Sequence, residues 1–154
     1  SGRGNDHDDL DSSNSAVDFD LLDIIRARLC DDERFRAAHY QPDYAPNSVV
    51  FHLDLDFYPT KIEEAKLKIK WFENGDFSIH YQENHRNGTE SSGQKPGFSH
   101  RWDRHPNSHN TYDHIHPGPD APTPGDDANH PPDWRDVLSM VLYELDERRD
   151  SFWS

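Results

Sequence analysis

Residues 61–82, "KIEEAKLKIKWFENGDFSIHYQ", are the stretch of sequence that decides the fold. Apolar and polar residues alternate over residues 65–71 and alternate again over residues 77–82. This period of two is typical of a β-strand with one buried face. Between the two runs stands Asn74-Gly75, a strong signal for a two-residue hairpin turn. The stretch therefore predicts two antiparallel strands that bury the same face.

Two further runs extend this pattern on either side. Residues 48–58, "SVVFHLDLDFY", alternate strictly and end at Pro59, and residues 98–103, "FSHRWD", alternate again. In the second run Trp102 falls on the apolar face, whereas Arg101 falls on the opposite face with the polar residues. The sequence therefore predicts about four antiparallel strands with a single buried face.

Helices are predicted at both ends of the strand region. Residues 17–30 carry apolar side chains at helical spacing after the capping residue Asp18, and residues 31–40 are compatible with further turns. Residues 133–149 carry the clearest stripe, after a second capping residue, Asp133. The apolar residues of the two stripes are Leu21, Ile24, Ile25, Leu29, Trp134, Val137, Leu138, Val141, Leu142 and Leu145. A sheet with one buried face needs covering helices, so we predict an α+β fold of order α-β-β-β-β-α with both helices on that face.

The length of 154 residues fits one domain, which we place at residues 16–150. Residues 1–15, "SGRGNDHDDLDSSNS", have the composition of a disordered acidic tail. Residues 104–132 are rich in His and Pro, with six of the 11 prolines between residues 117 and 132, and they predict a long loop. Neither a secretion signal nor an apolar run of membrane-spanning length is visible, so we expect a cytoplasmic protein.

The formal net charge is −14, from 22 Asp and 8 Glu against 11 Arg and 5 Lys. Such a charge argues against a nucleic-acid partner, because phosphate binding depends on basic side chains. However, excess Asp with few Lys is typical of halophilic proteins, and in molar salt the screening length falls to about 3 Å. We therefore expect a halophilic origin, in which a local basic patch can still bind phosphate. The single cysteine, Cys30, excludes an internal disulfide framework and a multi-cysteine zinc site.

The candidate chemistry is concentrated in "RHPNSHNTYDHIHPGP" (104–119), which holds four histidines. In extended backbone His114 and His116 project to the same side, where they can share a metal ion or place two proton-transfer groups beside one substrate. On the neighbouring strands His80 and Arg101 face outward. If the register sets them side by side, the guanidinium can hold a phosphate while the imidazole moves a proton.

Other interpretations remain open for these residues. A zinc site needs three or four ligands, so His114 and His116 would require His105, His109 or a carboxylate as well. Asp54 and Asp56 share an outward strand face and are either an acid/base or metal-binding pair or part of a solvated surface. Tyr112 either packs to anchor the loop or stacks on a base.

"RWDRHPNSHNTYDHIHPGP" (101–119), followed after a Pro-rich gap by "WRDVLSMVL" (134–142), resembles the TumE-type toxins of prokaryotic toxin–antitoxin pairs. The strand "FSIHYQ" is similar to a strand of the same family and adds His80 to the match. The resemblance covers about residues 48–145, and its matching positions are Arg101, Trp102, Asp103, His105, Pro106, Thr111, Tyr112, His114 and His116. The chain departs from the family pattern in the single residue between its last two histidines and in an acidic insertion at residues 118–132.

The resemblance implies a growth-inhibiting protein that acts on RNA and is neutralised by a cognate antitoxin, of the helix-turn-helix DNA-binding type. With it, the residues predict a metal-independent ribonuclease without a cofactor. In this prediction His80 or His114 is the base, His116 is the acid and Arg101 holds the phosphate. Arg104, His105 and Tyr112 are predicted RNA contacts. A non-enzymatic RNA- or protein-binding module and a His-based metal-binding protein are the alternatives, and the sequence leaves a homodimer open.

Overall fold

A meander of antiparallel strands carries the fold, and it has seven strands rather than the four that the sequence predicts. The computed structural model describes residues 15–86, 97–106 and 112–154. Helix α1 spans Phe19–Leu29 and helix α2 spans Trp134–Asp150. The strands are β1 (Phe35–Gln41), β2 (Ser48–Leu53), β3 (Ile62–Trp71), β4 (Phe77–His85), β5 (Gly97–Arg104), β6 (Asp113–His116) and β7 (Asp126–Asp127). Each strand pairs antiparallel with the next along the chain, so the α+β class is confirmed.

The predicted hairpin at the centre of the sheet is confirmed as β3 and β4. Trp71 pairs with Phe77, so residues 72–76 connect the strands instead of the predicted two-residue turn, with Gly75 at a φ of 94°. That left-handed backbone is readily available to glycine and costly for residues with a Cβ, which is why Gly75 stands there. The turn fixes the register of both strands and therefore determines which side chains face the helices.

One face of the sheet and both helices share a single core. Side chains from β2 to β5 alternate into it, and α1 and α2 close it from the same side. Its largest fully buried members are Trp102, Tyr81, Phe51, Phe77, Leu22 and Ile25. The predicted stripe of α2 is confirmed. That of α1 is confirmed for Ile25 and Leu29 but wrong for Ile24, which is 52% exposed, whereas Leu22 is buried. Adjacent apolar residues in "LLDII" allow two stripes, and packing selects one of them.

Residues 31–40, interpreted above as compatible with helix, turn sharply and form β1. α1 ends at Leu29, and the Asp32 carboxylate then accepts a hydrogen bond from Arg34 N at 2.9 Å. This Asx turn redirects the chain. β1 then pairs with β2 as the first edge strand, with most of its side chains outside the core. Its sequence has no strict alternation because only one edge of it is paired and little of it is buried.

The acidic pair Asp54 and Asp56 does not lie on a strand face. β2 ends at Leu53, and a short 3-10 turn follows over Leu55–Phe57. Asp54 caps this turn by accepting a hydrogen bond from Asp56 N at 3.0 Å. The two carboxylates are therefore part of a local turn, and the idea of an acidic pair on one strand is wrong.

The region predicted as a loop, residues 104–132, contains the last two strands of the sheet. β6 pairs with β5 and β7 pairs with β6, so the His-rich segment extends the sheet. The predicted tail lies outside the described residues except for Ser15, and His109 and Thr111 lie outside them as well. In the described part of the chain, neither helix combines the length and the apolar character needed to cross a bilayer.

Candidate functional site

The candidate site lies on the outer face of the sheet, which is the face turned away from the two helices. β3, β4, β5 and β6 place alternate side chains on this face, and the strand register sets them side by side. One row crosses the four strands in the order Lys68, His80, Arg101 and His116. Directly opposite residues in such pairs have Cβ atoms about 5 Å apart. Neighbouring members of the row can therefore contact one ligand together.

Arg101 and His116 are in direct contact near the edge of the sheet. Arg101 Nη2 donates a hydrogen bond to His116 Nε2 at 2.9 Å, and His116 Nδ1 lies 2.7 Å from the carbonyl oxygen of Pro122. Because a carbonyl can only accept, Nδ1 carries a proton and the Nε2 lone pair faces Arg101. The predicted meeting of these two side chains is therefore observed.

A buried carboxylate, Asp103, lies at the centre of the group. Its Oδ2 accepts a hydrogen bond from Arg101 Nε at 2.9 Å. The Nε2 atoms of three imidazoles surround the same oxygen, at 3.4 Å for His105, 3.4 Å for His114 and 3.2 Å for His116. We call Arg101, Asp103 and these three histidines the Asp103 cluster. The side chains of this cluster connect the end of β5 to β6, in addition to the backbone pairing of the two strands.

The cluster holds Asp103 in its ionised form. Burial alone would raise the pKa of this carboxyl, but hydrogen bonds from His105 and His114, together with the charge of Arg101, hold its pKa well below the usual range. The carboxylate is completely buried, and the imidazoles of His105, His114 and His116 are only 2%, 1% and 3% exposed. These three predicted site residues are therefore held inside the protein surface.

The segment that follows β6 folds back over His116. A Cβ added to Gly125 would lie 2.0 Å from the carbonyl oxygen of Ile115 and 3.0 Å from His116 Nδ1. Only glycine permits such a close approach of two backbone segments. With the Pro122 carbonyl bonded to the ring, this segment covers the side of His116 that faces away from Arg101.

His80 occupies the more open end of the row. Its Nε2 lies 2.5 Å from Ser99 Oγ, and its side chain is half-buried. Burial, and after it the positive charge of Arg101, lower the pKa of His80 to about 4. The ring is therefore neutral near pH 7, and a neutral imidazole can accept a proton.

Two other predicted RNA contacts lie apart from the row. Arg104 pairs with Phe77 on the helix side of the sheet, and its guanidinium bonds to Asp113 and to the carbonyls of His130 and Pro131. Tyr112 is 47% exposed and its hydroxyl donates to Asp76. The structure therefore brings His80, Arg101, His114, His116 and His105 together and leaves Arg104 and Tyr112 outside the group.

Three lysines on β3 belong to the same face and were not among the predicted residues. Lys66, Lys68 and Lys70 alternate with buried side chains, so they all project outward. Burial, and after it the nearby charges of Lys70 and Lys66, lower the pKa of Lys68. The signal was present in the sequence, because "KLKIK" places three of only five lysines at a spacing of two.

Asp103, like the three lysines, has a role in the site that the sequence did not indicate. Its ligand atom and those of His105 and His114 lie within 4.8 Å of one another, a spacing that suits a metal ion. A carboxylate ligand was missing from the sequence-based argument because Asp103 is 11 positions before His114. Only the pairing of β5 with β6 brings the two together, with Asp103 directly opposite His114.

The fold and the site define an α+β protein with a meander sheet whose helix-free face gathers lysines, an arginine and imidazoles. The family model described as Toxin TumE matches residues 22–149, which is most of the chain. The chain belongs to this toxin family, as its resemblance to the family predicts. Separate searches of curated proteins and of solved structures found no significant match.

Proposed function

We propose that the protein is the toxin of a type II toxin–antitoxin pair and that it acts on RNA as a ribonuclease. The observation that carries this proposal is the outer face of the sheet. In a chain of net charge −14, that face collects Lys66, Lys68, Lys70 and Arg101 beside the imidazole of His80. Cationic side chains bind phosphates, and imidazoles transfer protons near neutral pH. The combination suits a phosphodiester substrate.

The geometry indicates which residue carries out each step of the reaction. Of the two candidate bases, His80 is only partly buried, whereas His114 is 1% exposed and turns Nε2 toward Asp103. His80 therefore takes the proton from the ribose 2′-hydroxyl, and the 2′-oxygen attacks the phosphorus. Arg101, which lies opposite His80 in the register, stabilises the negative charge that develops on the phosphate oxygens.

His116 completes the reaction by protonating the 5′-oxygen as its bond to phosphorus breaks. For this step Arg101 leaves His116 Nε2 to hold the phosphate, and Nε2 takes up a proton from solvent, so that the ring is an imidazolium before it donates. The products are a 2′,3′-cyclic phosphate and a free 5′-hydroxyl. His116 is 3% exposed and lies under the segment that contains Pro122 and Gly125. Its role as acid therefore includes a movement of that segment when RNA binds. All proton transfers in this scheme are carried by imidazoles, so the chemical step is metal-independent.

Cleavage of a synthetic RNA by the full chain tests the proposal. We expect the wild-type protein to cut the RNA but not the same strand with 2′-deoxyribose throughout. His80→Ala, His116→Ala and Arg101→Ala should each reduce the rate by at least about 100-fold, because acid/base and charge-stabilising groups contribute about that much. His39→Ala is the matched control, since this exposed imidazole lies on the far edge strand, β1. Intact RNA across about pH 6 to 9 at low and molar salt would count against the ribonuclease.

The pH profile gives an independent test of the base. A pKa of about 4 keeps His80 in its proton-accepting form at every pH above that value. The cleavage rate should therefore decline on the acid side near pH 4. This is well below the pKa of about 6.5 that is typical of an unperturbed histidine. Single-turnover rates measured from acid to neutral pH report this decline. A decline centred near 6.5 would remove His80 from the role of base.

Binding of RNA without cleavage is a second candidate function, favoured by the burial of three imidazoles in the Asp103 cluster. In that case growth inhibition should survive His80→Gln and His116→Gln but be lost with Arg101→Gln. Under the ribonuclease proposal all three variants should abolish growth inhibition. Induced expression followed by colony counting separates the two functions.

We further propose that the toxin acts in the cytoplasm and that a helix-turn-helix protein neutralises it. The chain belongs to a toxin family, and toxins of type II pairs are controlled by a cognate antitoxin. Co-expression with the product of the neighbouring reading frame should restore growth and yield a complex that co-purifies. Light scattering on the purified toxin tests whether it is a homodimer, and a mass of about twice that of the chain would support one.

A further inference from the structure

We propose that Asp103, His105 and His114 bind one divalent transition-metal ion of the Zn²⁺ class, which ties the end of β5 to β6. Metal binding is independent of the proposed ribonuclease activity and differs from the sequence-based expectation of no metal. It concerns the part of the Asp103 cluster that the proposed reaction does not use. The ligand atoms are Asp103 Oδ2 and the Nε2 atoms of the two histidines.

The positions of these atoms suit coordination. Each imidazole Nε2 lies 3.4 Å from Asp103 Oδ2, and all three ligand atoms lie within 4.8 Å of one another. Bonds from Zn²⁺ to nitrogen and oxygen are about 2.0–2.2 Å long, so ligand atoms around one ion are about 3.3 Å apart. The site therefore needs only side-chain adjustments to accept an ion.

The position of the proton on the His105 ring also suits metal coordination. His105 Nδ1 lies 3.0 Å from the carbonyl oxygen of Pro106, which can only accept a hydrogen bond. The proton of the neutral ring is therefore on Nδ1, and its Nε2 lone pair faces the carboxylate. The contact of His105 Nε2 with Asp103 Oδ2, at 3.4 Å, is therefore made either through a second proton on the ring or through a metal ion. Metal-bound histidines commonly use this arrangement, in which the second nitrogen donates to a carbonyl.

Protons alone do not account well for the cluster. If His105 and His114 were both protonated at Nε2, Asp103 Oδ2 would have to accept from two rings in addition to Arg101 Nε. A carboxylate oxygen has about two acceptor sites. Meanwhile the buried Oδ1 has no hydrogen-bond partner among the described residues. A metal ion held by Oδ2 and two neutral rings removes this crowding at Oδ2.

The ligand set and its burial select the kind of ion. Imidazole nitrogen suits zinc and its transition-metal neighbours, whereas Mg²⁺ and Ca²⁺ prefer oxygen ligands alone. Asp103, His105 and His114 are at most 2% exposed, so the ion would be enclosed by the protein, with one of its four tetrahedral positions left for a water molecule. The ion would join His105, directly after β5, to His114 on β6.

His116 is assigned to the RNA site and not to the metal. Its Nε2 accepts a hydrogen bond from Arg101, and a cationic guanidinium at 2.9 Å disfavours a second cation on the same nitrogen. The metal and the reacting groups are thus neighbours that share Asp103 as a common contact. Metal loss should loosen the position of Arg101 without removing any reacting group.

Zn²⁺ alone is the probe for this proposal, added to the full chain after removal of bound metal with a chelator. We expect elemental analysis after gel filtration to find one zinc per chain. Saturating Zn²⁺ should raise the melting temperature of the stripped protein by about 5 to 10 °C, as expected for a ligand at about 100 times its Kd. Wild-type protein that retains no zinc and shows no thermal shift would overturn the proposal, whatever the variants do.

Variants locate the ion and control for folding. His105→Ala and His114→Ala should weaken zinc binding by more than about 100-fold, since changes in outer-shell residues alone cost about 10- to 100-fold. Asp103→Asn, which keeps the shape of the side chain, should do the same while retaining the wild-type far-ultraviolet circular dichroism. The matched control is His39→Ala, which should bind one zinc as the wild type does. Equal binding by His105→Ala and the wild type would move the ion elsewhere.

The outcomes separate this proposal from the ribonuclease. His80→Ala should lose RNA cleavage and keep zinc, because His80 is on β4 and contributes no ligand. Loss of zinc from His114→Ala, together with continued RNA cleavage by the zinc-stripped wild type, supports a metal site beside an independent active site. If the wild type binds zinc but cleaves no RNA, the metal proposal stands and the ribonuclease proposal fails.

Discussion

At the scale of single residues, buried charges determine where this protein is sensitive to change. Glu83 has a completely buried carboxylate, which accepts two hydrogen bonds from Arg148, at 2.9 and 2.8 Å, and one from Tyr81 at 2.6 Å. The guanidinium of Arg148 also lies 3.9 Å from the centre of the Phe98 ring. The Glu83–Arg148 ion pair holds α2 against β4, on the helix side of the sheet.

Arg148→Ala should therefore destabilise the protein strongly. Removing one partner of a buried ion pair leaves an uncompensated charge and typically costs about 3 to 5 kcal/mol. Urea unfolding followed by circular dichroism measures this change in the free energy of unfolding. Arg135→Ala is the control, because its carboxylate partner Asp133 is exposed and the variant should unfold almost as the wild type does.

The deficit of Arg148→Ala should depend on pH in a defined direction. Burial alone would raise the pKa of Glu83, but hydrogen bonds from Arg148, Tyr81 and His85 lower it. A carboxyl whose pKa is lower in the folded state stabilises that state above its ordinary pKa of about 4.3, and the contribution is lost as pH falls through the folded value. The difference between variant and wild type should thus be largest near neutral pH and shrink in acid. A deficit that grows in acid would contradict this account of Glu83.

At the scale of elements, β3 shows how one strand serves two purposes. Its period of two sends Ala65, Leu67 and Ile69 into the core and three lysines to the outer face. The same alternation on β4 and β5 carries His80 and Arg101 to that face. The hairpin at Gly75 fixes the relation between the first two strands, so the basic face follows from strand geometry and needs no loop to build it.

Replacement of Lys66, Lys68 and Lys70 together by Gln should weaken binding of single-stranded RNA. Each phosphate contact contributes about 0.7 to the slope of log affinity against log salt concentration, so the slope should decrease in magnitude by about 2. Fluorescence anisotropy over a salt series measures both affinity and slope, using the His80→Ala background to prevent cleavage.

A matched triple variant removes the same charge from elsewhere on the surface. Arg26, Lys61 and Arg135 are exposed and lie outside the row on the outer face, so their replacement by Gln should leave the slope near the wild-type value. If both triple variants change the slope equally, net charge rather than the β3 lysines governs RNA binding.

At the scale of the whole molecule, the net charge of −14 opposes folding through self-repulsion. Salt screens this repulsion, because the screening length falls from about 10 Å at 0.1 M to about 3 Å at 1 M. Raising KCl over this range should therefore increase the melting temperature by at least about 3 °C, which is roughly 1 kcal/mol for a chain of this size. Differential scanning calorimetry measures the shift. Sucrose is the control for general solvent effects, and a melting temperature that falls with KCl would contradict this account.

Much of the architecture could be predicted from local signals in the sequence. The caps at Asp18 and Asp133, the stripe of α2 and the hairpin at Asn74-Gly75 all depend on a few neighbouring residues. The structure confirms each of them, although the hairpin connection is longer than two residues. β1 could not be predicted in the same way, because an edge strand that buries little has no strong pattern of its own. It is a strand because β2 offers it a partner.

The sequence by itself determined the two helices, the central hairpin, the alternation that separates the core from the outer face, and the family. Only the tertiary structure decided that Asp103 meets His105, His114 and His116, and that Lys68, His80 and Arg101 form one row. Periodicity and caps depend on neighbours in the chain, so they can be read locally. Contacts across strands depend on register, which is set by hydrogen bonds and packing between residues that are far apart in sequence.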